Sequence, residues 1–223
     1  LKEDGNREFS FYRKPGADMM MEAKDIEDSW FTDVFALHFC SVSLGDFPMK
    51  EAHKKAIDCG LRSRAVISFD PNIRLALWEN PEALRNVIWE FAPMAHVLKI
   101  SDEELEFITG ETDIKTALPK LLQGNTKVVI YTRGADGAEC YTEHHSAFSP
   151  TEKVTAVDTT GAGDGFIGAF LFCMARDGVT VEDLSDLSSE KMTQYLTFAN
   201  KFCGKSVTKH GAIASYPSLA EME

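Results

Sequence analysis

The chain has 223 residues, which suits one α/β domain or one large domain with a small appendage. Its 23 basic and 35 acidic residues give a formal net charge of −12, with the two signs interspersed. This balance excludes the basic surface that nucleic acid or an anionic membrane would need, and it suits an enzyme with a small-molecule substrate. No apolar run approaches the ~20 residues of a membrane helix and no signal peptide is visible, so we expect a cytoplasmic location.

The N-terminus and the cysteines both bear on how the chain is organised. Residues 8–13 alternate like a half-exposed strand at the end of a small antiparallel sheet, and Leu1 is not an initiator methionine, so we expect further residues upstream. The five cysteines are odd in number and show no Cys-x-x-Cys spacing. We therefore expect free thiols in a reducing compartment.

Apolar segments alternate with helical segments from residue 34 onward. The expected strands are residues 34–39, 65–69, 96–100 and 127–131. The expected helices are residues 25–33, 49–59, 81–91, 101–109, 114–122 and 190–202. Nearly continuous apolar strands that alternate with helices predict an α/β fold with a parallel sheet covered on both faces.

Polar residues follow three of these strands at the same end. The strands run into residues 70–74 (Asp-Pro-Asn-Ile-Arg), 101–104 (Ser-Asp-Glu-Glu) and 132–134 (Thr-Arg-Gly). Ligands of open α/β sheets bind outside the carboxyl ends of the strands. The three polar ends therefore predict one cleft.

A glycine-rich turn near residue 161 carries the clearest chemical signal. Residues 138–141, 146–148 and 154–157 predict a short antiparallel meander that leads into it. Behind Asp164 the apolar residues recur at helical spacing, so a helix begins at the turn. The first N–H groups of a helix lack intrahelical partners and attract anions.

This arrangement favours phosphoryl transfer to a hydroxyl group. The N–H groups of Gly161, Ala162 and Gly163 would hold the negative charge that develops on the moving phosphoryl group. Asp164 would accept the proton of the attacking hydroxyl.

Other interpretations of the turn compete with this one. A Walker A loop is excluded because the chain has no Gly-x-x-x-x-Gly-Lys-[Ser/Thr] string. Gly163, Gly165 and Gly168 match the Rossmann pattern, but that match sets Asp164 against a pyrophosphate and lies far from a first βα turn. A purely structural role would use the glycines for close packing and Asp164 as a first-turn acid.

Residues 158–164 (Asp-Thr-Thr-Gly-Ala-Gly-Asp) resemble a signature of the ribokinase-like (PfkB) carbohydrate kinases. The resemblance extends to residues 10–13, 15–18, 68–74, 101–104 and 206–215, and it is strongest to fructokinases of that family. It implies a ribokinase-like α/β fold with a mostly parallel central sheet. Residues 19–223 would be the nucleotide-binding and catalytic domain, and residues 1–18 the last strands of a small β lid.

The resemblance implies that Asp164 is the catalytic base, with Gly161 to Gly163 as the anion hole. A monovalent-cation site would lie beside that hole, and its residues would be Asp158, Thr160 and Ser215, with carbonyl groups around Lys209 and Gly211. The alternative for Asp158 is an acid that only braces the loop.

The resemblance also implies residues for the nucleotide and the substrate. Thr132 and Gly134 would contact the nucleotide phosphates, Asn200 would lie near the adenine, and Glu104 would influence the Mg²⁺ and phosphate environment. Ser101 stands where the family has an asparagine, so only Glu104 is carried over from that motif; its alternative is a solvated acid at a helix start. Contacts to substrate or phosphate would come from Asn72 and Arg74, which are otherwise a turn asparagine and a surface arginine.

The activity implied is that of an ATP-dependent, Mg²⁺-requiring sugar kinase, with K⁺ as a further ion and fructose as the expected acceptor. Alternative acceptors are 2-keto-3-deoxygluconate, ribose and a nucleoside. An alternative of another class is a non-catalytic relative that binds a nucleotide or a partner.

The apolar face of Phe9 and Phe11 is compatible with a homodimer through the lid and with packing onto further strands.

The resemblance finally implies an N-terminal segment of about a hundred residues ahead of Leu1, with the first βαβ unit and a Gly-Gly sugar-binding motif. Much of the sugar pocket would lie in that segment. We expect the 223-residue polypeptide by itself not to be a competent kinase.

Overall fold

A computed structural model describes residues 12, 13 and 15–223 of the chain. Most of the predicted lid at residues 1–18 lies outside the described residues, as do most of the strand predicted at residues 8–13 and the side chains of Phe9 and Phe11. The lid, the domain boundary at residue 18 and a homodimer through the lid stay predictions.

The described part of the chain contains a six-stranded sheet in which the strands lie side by side in chain order. The strands are β1 Ala36–Cys40, β2 Val66–Asp70, β3 Val97–Ser101, β4 Val128–Thr132, β5 Ala138–Tyr141 and β6 Ser146–Ser149. β1 to β4 are parallel, and β5 and β6 continue the sheet as an antiparallel hairpin. The four predicted parallel strands are confirmed, each displaced by one or two residues.

The helices are α1 Met49–Arg62, α2 Pro81–Phe91, α3 Asp102–Thr109, α4 Ile114–Leu121, α5 Ala162–Arg176, α6 Ser189–Ser206 and α7 Leu219–Met222. Local sequence sets several of their ends. The Asn80 side chain accepts the Ala83 N–H at 2.8 Å ahead of Pro81, which begins α2. Gly110, in the left-handed region at φ 73°, ends α3. None of the described helices has the length and apolar character needed to cross a bilayer.

Helices cover both faces of the sheet. Helices α1 to α4 pack on one face, and α5 and α6 pack on the other. Successive residues of β2 alternate between the two cores, with Ile67 in the first and Val66 in the second. The predicted α/β fold is confirmed, and the two helical layers leave the carboxyl ends of the strands open at one edge.

Two predicted elements are wrong. Residues 25–33 do not form one helix but lie among 3-10 turns at Ala23–Asp25 and Asp28–Phe31, because only Phe31 is buried and no apolar face supports a longer helix. Residues 154–157 do not join the sheet as a strand. The N–H of Val157 instead donates to the carbonyl of Val207, at 2.7 Å, so this segment pairs with the chain after α6.

Candidate active site

Two adjoining cavities open at the carboxyl ends of β2 to β4. A smaller one of about 330 Å³ is lined by the ends of β2 and β3 and by the glycine turn. A larger one of about 560 Å³ extends from the end of β4 to α6. Thr159, Ala162 and Gly163 border both cavities, so the glycine turn stands at their junction.

The glycine turn enters α5 through Gly161, which lies in the left-handed region at φ 75°. The Gly161 carbonyl accepts the Gly165 N–H at 2.8 Å, and the Ala162 N–H turns back to the Thr159 carbonyl at 3.2 Å. Gly163 lies in the first turn of α5, where an N–H has no intrahelical acceptor. An anion at this junction could therefore accept the Gly163 N–H directly. To accept the Ala162 N–H, it would have to compete with the Thr159 carbonyl.

Asp164 occupies the first turn of α5, is exposed, and lines the smaller cavity. The positive end of the helix dipole stabilises its negative charge. An exposed carboxylate at the edge of a cavity can accept a proton from a bound hydroxyl group. Asp164 and the glycine turn are thus brought together as predicted, although their catalytic roles stay predictions.

Lys99 is a site residue that the sequence analysis missed. It lies on β3 between Leu98 and Ile100 and is only 5% exposed. Its Nζ is 2.6 Å from the Asp70 Oδ2, and a Cβ placed on Gly163 would lie 3.5 Å from the same nitrogen. The signal in the sequence was a lysine inside an apolar strand, because a buried ammonium group needs an acidic partner.

Three carboxylates act on Lys99. Burial lowers its pKa, but the charges of Asp70, Glu104 and Asp164 outweigh that effect and raise the pKa above its usual value. Burial raises the pKa of Asp70, with Lys99 opposing the shift. The result is a protonated ammonium group next to the glycine turn.

Glu104 is buried and connects the loops after two strands. One of its carboxylate oxygens accepts the Ile73 N–H at 2.8 Å and the other accepts the Ser101 N–H at 3.0 Å. It is therefore not a solvated acid at a helix start. Its side chain lines the smaller cavity and holds the end of β2 beside the start of α3.

The two predicted substrate residues also line the smaller cavity. Asn72 adopts a left-handed conformation at φ 47°, which asparagine tolerates better than most residues, and its N–H donates to Asp70 at 3.1 Å. The Arg74 guanidinium donates to the Ile73 carbonyl at 2.9 Å.

The predicted nucleotide residues meet in the larger cavity, with the exception of Glu104. Thr132 at the end of β4, Gly134 at φ 48° and Asn200 on α6 all line it. Asn200 is fixed by a hydrogen bond from its side-chain amide to the Ser149 carbonyl, at 2.9 Å.

The predicted cation residues lie in two loops that contact each other. Asp158 accepts the Thr160 N–H at 2.9 Å and the Gly211 N–H at 3.0 Å. Ser215 is fully buried and its hydroxyl is 2.7 Å from that of Ser206. Within residues 12–13 and 15–223 no three His, Cys, Asp or Glu side chains form a metal-binding group. These contacts support a loop-bracing role for Asp158, and the cation site stays a prediction.

The sequence and the fold of the chain are both similar to those of known proteins. The model of the pfkB family carbohydrate kinases matches residues 1–219. "Probable fructokinase-2" of Arabidopsis thaliana is 38% identical over 223 residues, covering 99% of this chain and 66% of the relative. The chain thus spans about two thirds of the length of the relative it matches.

Two solved structures are similar as well. A Xylella fastidiosa fructokinase with bound ATP has a TM-score of 0.91 and 31% identity, covering 98% of this chain and 69% of its own. A double-mutant fructokinase from Vibrio cholerae, bound to fructose, ADP and a potassium ion, has a TM-score of 0.82 and 29% identity, covering 94% and 65%.

Proposed function

Since the chain belongs to the pfkB family of carbohydrate kinases, we propose that the full-length protein is an ATP-dependent sugar kinase that converts fructose to fructose 6-phosphate. The observation that carries the proposal is the position of the glycine turn between two cavities, with Asp164 at the edge of the smaller one. The larger cavity suits a nucleoside, and the smaller, charged cavity suits phosphate groups and the acceptor hydroxyl.

The geometry supports a direct transfer. With the nucleoside near Thr132, Gly134 and Asn200, its phosphates extend past Gly163 into the smaller cavity. The N-terminus of α5 and the ammonium group of Lys99 then face the transferred phosphoryl group and stabilise its charge. Asp164 accepts the hydroxyl proton as the acceptor oxygen attacks the terminal phosphorus, and ADP leaves.

The smaller cavity also fits a magnesium ion. Mg²⁺ typically binds through one or two carboxylates together with substrate phosphates and water, and Asp70 and Glu104 both line this cavity. The ion supplies charge neutralisation on the phosphate oxygens. Both side chains already accept protein hydrogen bonds, so we propose that the nucleotide phosphates would bind the ion and that Asp70 and Glu104 would supply negative charge beside it.

A monovalent cation beside the turn is a separate part of the proposal. A similar fructokinase binds potassium, and in this chain Asp158 joins Thr160 to Gly211 next to the anion hole. Replacing K⁺ by choline in the assay buffer should lower kcat, and Asp158→Asn should remove that dependence. Equal rates in both salts would show that Asp158 only braces the loop.

The test of the activity is release of ADP by the full-length protein with ATP, Mg²⁺ and a panel of acceptors. Fructose should give the highest kcat/KM, and 2-keto-3-deoxygluconate, ribose and a nucleoside are the competing acceptors. The product with fructose should carry phosphate on a primary hydroxyl. If the protein binds ATP but releases no ADP with any of the acceptors, the non-catalytic alternative is favoured.

A further inference from the structure

Tyr216, in the segment between α6 and α7, binds the glycine turn directly. Its hydroxyl donates to the Gly161 carbonyl oxygen at 2.8 Å. The same oxygen accepts the Gly165 N–H, so the Gly161–Ala162 peptide is held from two directions. We propose that Tyr216 is a positioning residue for phosphoryl transfer, which fixes the start of α5 and so keeps the Gly163 N–H directed at the transferred group. This inference rests on the proposed kinase function.

Two glycines of the turn leave space for the tyrosine. A Cβ on Gly161 would lie 2.8 Å from the Tyr216 hydroxyl oxygen, and a Cβ on Gly165 would lie 3.1 Å from the Cε1 of its ring. The first distance is shorter than real Cβ contacts, and the second is tighter than most of them. Glycine at these two positions therefore serves the approach of Tyr216 as well as the left-handed backbone at Gly161.

The tyrosine is itself held in place. Its ring packs against Phe202 of α6, with centroids 5.3 Å apart and an angle of 55° between the ring planes. Ser215, the preceding residue, is buried and bonded to Ser206 at the end of α6. Tyr216 thus connects α6 to the N-terminus of α5.

A rigid turn has a kinetic consequence. Peptide groups beside a glycine rotate more easily than others because glycine has few steric limits. Donors that must reorient during a reaction stabilise the transition state less than donors already in place. Burial and the nearby charge of Asp164 raise the pKa of Tyr216, so its hydroxyl is protonated at neutral pH and can hold the peptide.

The test compares two tyrosines that touch opposite ends of α5. Tyr216→Phe removes the bond to Gly161 and keeps the ring. Tyr195→Phe is the matched control, because the Tyr195 hydroxyl binds Asp177 just after the C-terminus of α5, at 3.0 Å. With full-length protein, fructose and ATP, Tyr216→Phe should lower kcat about 3- to 10-fold with both KM values within about twofold, as expected for one lost hydrogen bond that acts in the transition state. Tyr195→Phe should leave kcat unchanged.

Hydrogen exchange gives a readout that does not depend on turnover. Amides of residues 158–166 should exchange faster in Tyr216→Phe and at the normal rate in Tyr195→Phe. A normal kcat in Tyr216→Phe overturns the positioning role. If the unmodified protein turns over no acceptor, the proposed kinase function is overturned instead. In that case hydrogen exchange still tests Tyr216, and a normal exchange rate in Tyr216→Phe would show that the tyrosine does not hold the glycine turn.

Discussion

The ammonium group of Lys99 and the carboxylate of Asp70 form a buried ion pair, with Nζ and Oδ2 2.6 Å apart. Such a pair adds little net stability because both charges lose their hydration. Its position beside Gly163 is therefore better explained by the phosphate that the proposed reaction brings there. Asp70 keeps the ammonium group oriented, and the ammonium group faces the turn.

Replacing Lys99 by methionine should abolish most activity. The substitution removes a preorganised positive charge next to the glycine turn, so kcat/KM for ATP should fall about 10²-fold or more. Lys115→Met, at an exposed position on α4, is the control and should keep normal kinetics. Steady-state ADP release measures both variants, and normal turnover in Lys99→Met would exclude a role in phosphate stabilisation.

The stability of the same variants should reveal the ion pair. Lys99→Met leaves the Asp70 carboxylate buried without its partner, which should lower the free energy of unfolding by about 3–5 kcal/mol. Adding Asp70→Asn should recover part of that loss, because no unpaired charge then remains. Urea unfolding of the full-length protein and of the single and double variants measures these free energies. Additive losses would mean that the two side chains do not interact.

Asp164→Asn should separate catalysis from binding. The amide keeps the size of the carboxylate but cannot accept a proton, so kcat should fall about 10²- to 10⁴-fold. The Kd of ATP should stay close to normal, since the larger cavity is unchanged. The exposed Asp186→Asn serves as the control. Normal turnover by Asp164→Asn would contradict its assignment as the base.

Local patterns were enough to predict the sheet, the helices around it and the glycine turn. Apolar runs and caps depend on residues close in sequence, and the polar ends of neighbouring strands meet because parallel strands share one edge. Residues 154–157 show the limit of such patterns, since alternation does not decide whether a segment joins the sheet or pairs with another loop.

The contacts inside the site could not be predicted, because they depend on strand register and on side-chain packing between distant segments. Lys99 meets Asp70 because Phe69 lies opposite Leu98 in the register of β2 and β3. Tyr216 reaches Gly161 across 55 residues, through packing on Phe202. Neither the strand register nor that packing follows from spacing alone.

Glu104→Gln should loosen the smaller cavity. The carboxylate accepts two main-chain N–H groups, whereas an amide would turn its own donor toward one of them. Stability should fall by about 1–3 kcal/mol, and the Mg²⁺ concentration for half-maximal rate should rise. Glu106→Gln on the exposed face of α3 should change neither quantity. A stable variant with an unchanged Mg²⁺ requirement would remove Glu104 from both roles.

His96 should make stability depend on pH. Its Nδ1 accepts the Ile67 N–H at 3.0 Å in a site that is 6% exposed, so the folded protein favours the neutral ring. Burial, with a smaller effect of Lys127, lowers the pKa of His96 below 6.5, while Glu182 opposes the shift. A lowered pKa leaves stability intact above the unfolded value and removes it as the pH falls below that value.

The measurement is urea unfolding of full-length protein at about pH 7.5 and about pH 5.5, on either side of the ordinary histidine pKa. His96→Asn keeps an acceptor for the Ile67 N–H but cannot be protonated, so it should lose less stability on acidification, by about 1 kcal/mol. His38 and His53, whose pKa values are also lowered, are present in both proteins and cancel in this difference. His144→Asn, in an exposed hairpin, should behave like the unmodified protein. Equal acid sensitivity in all three would show that folding does not change the pKa of His96.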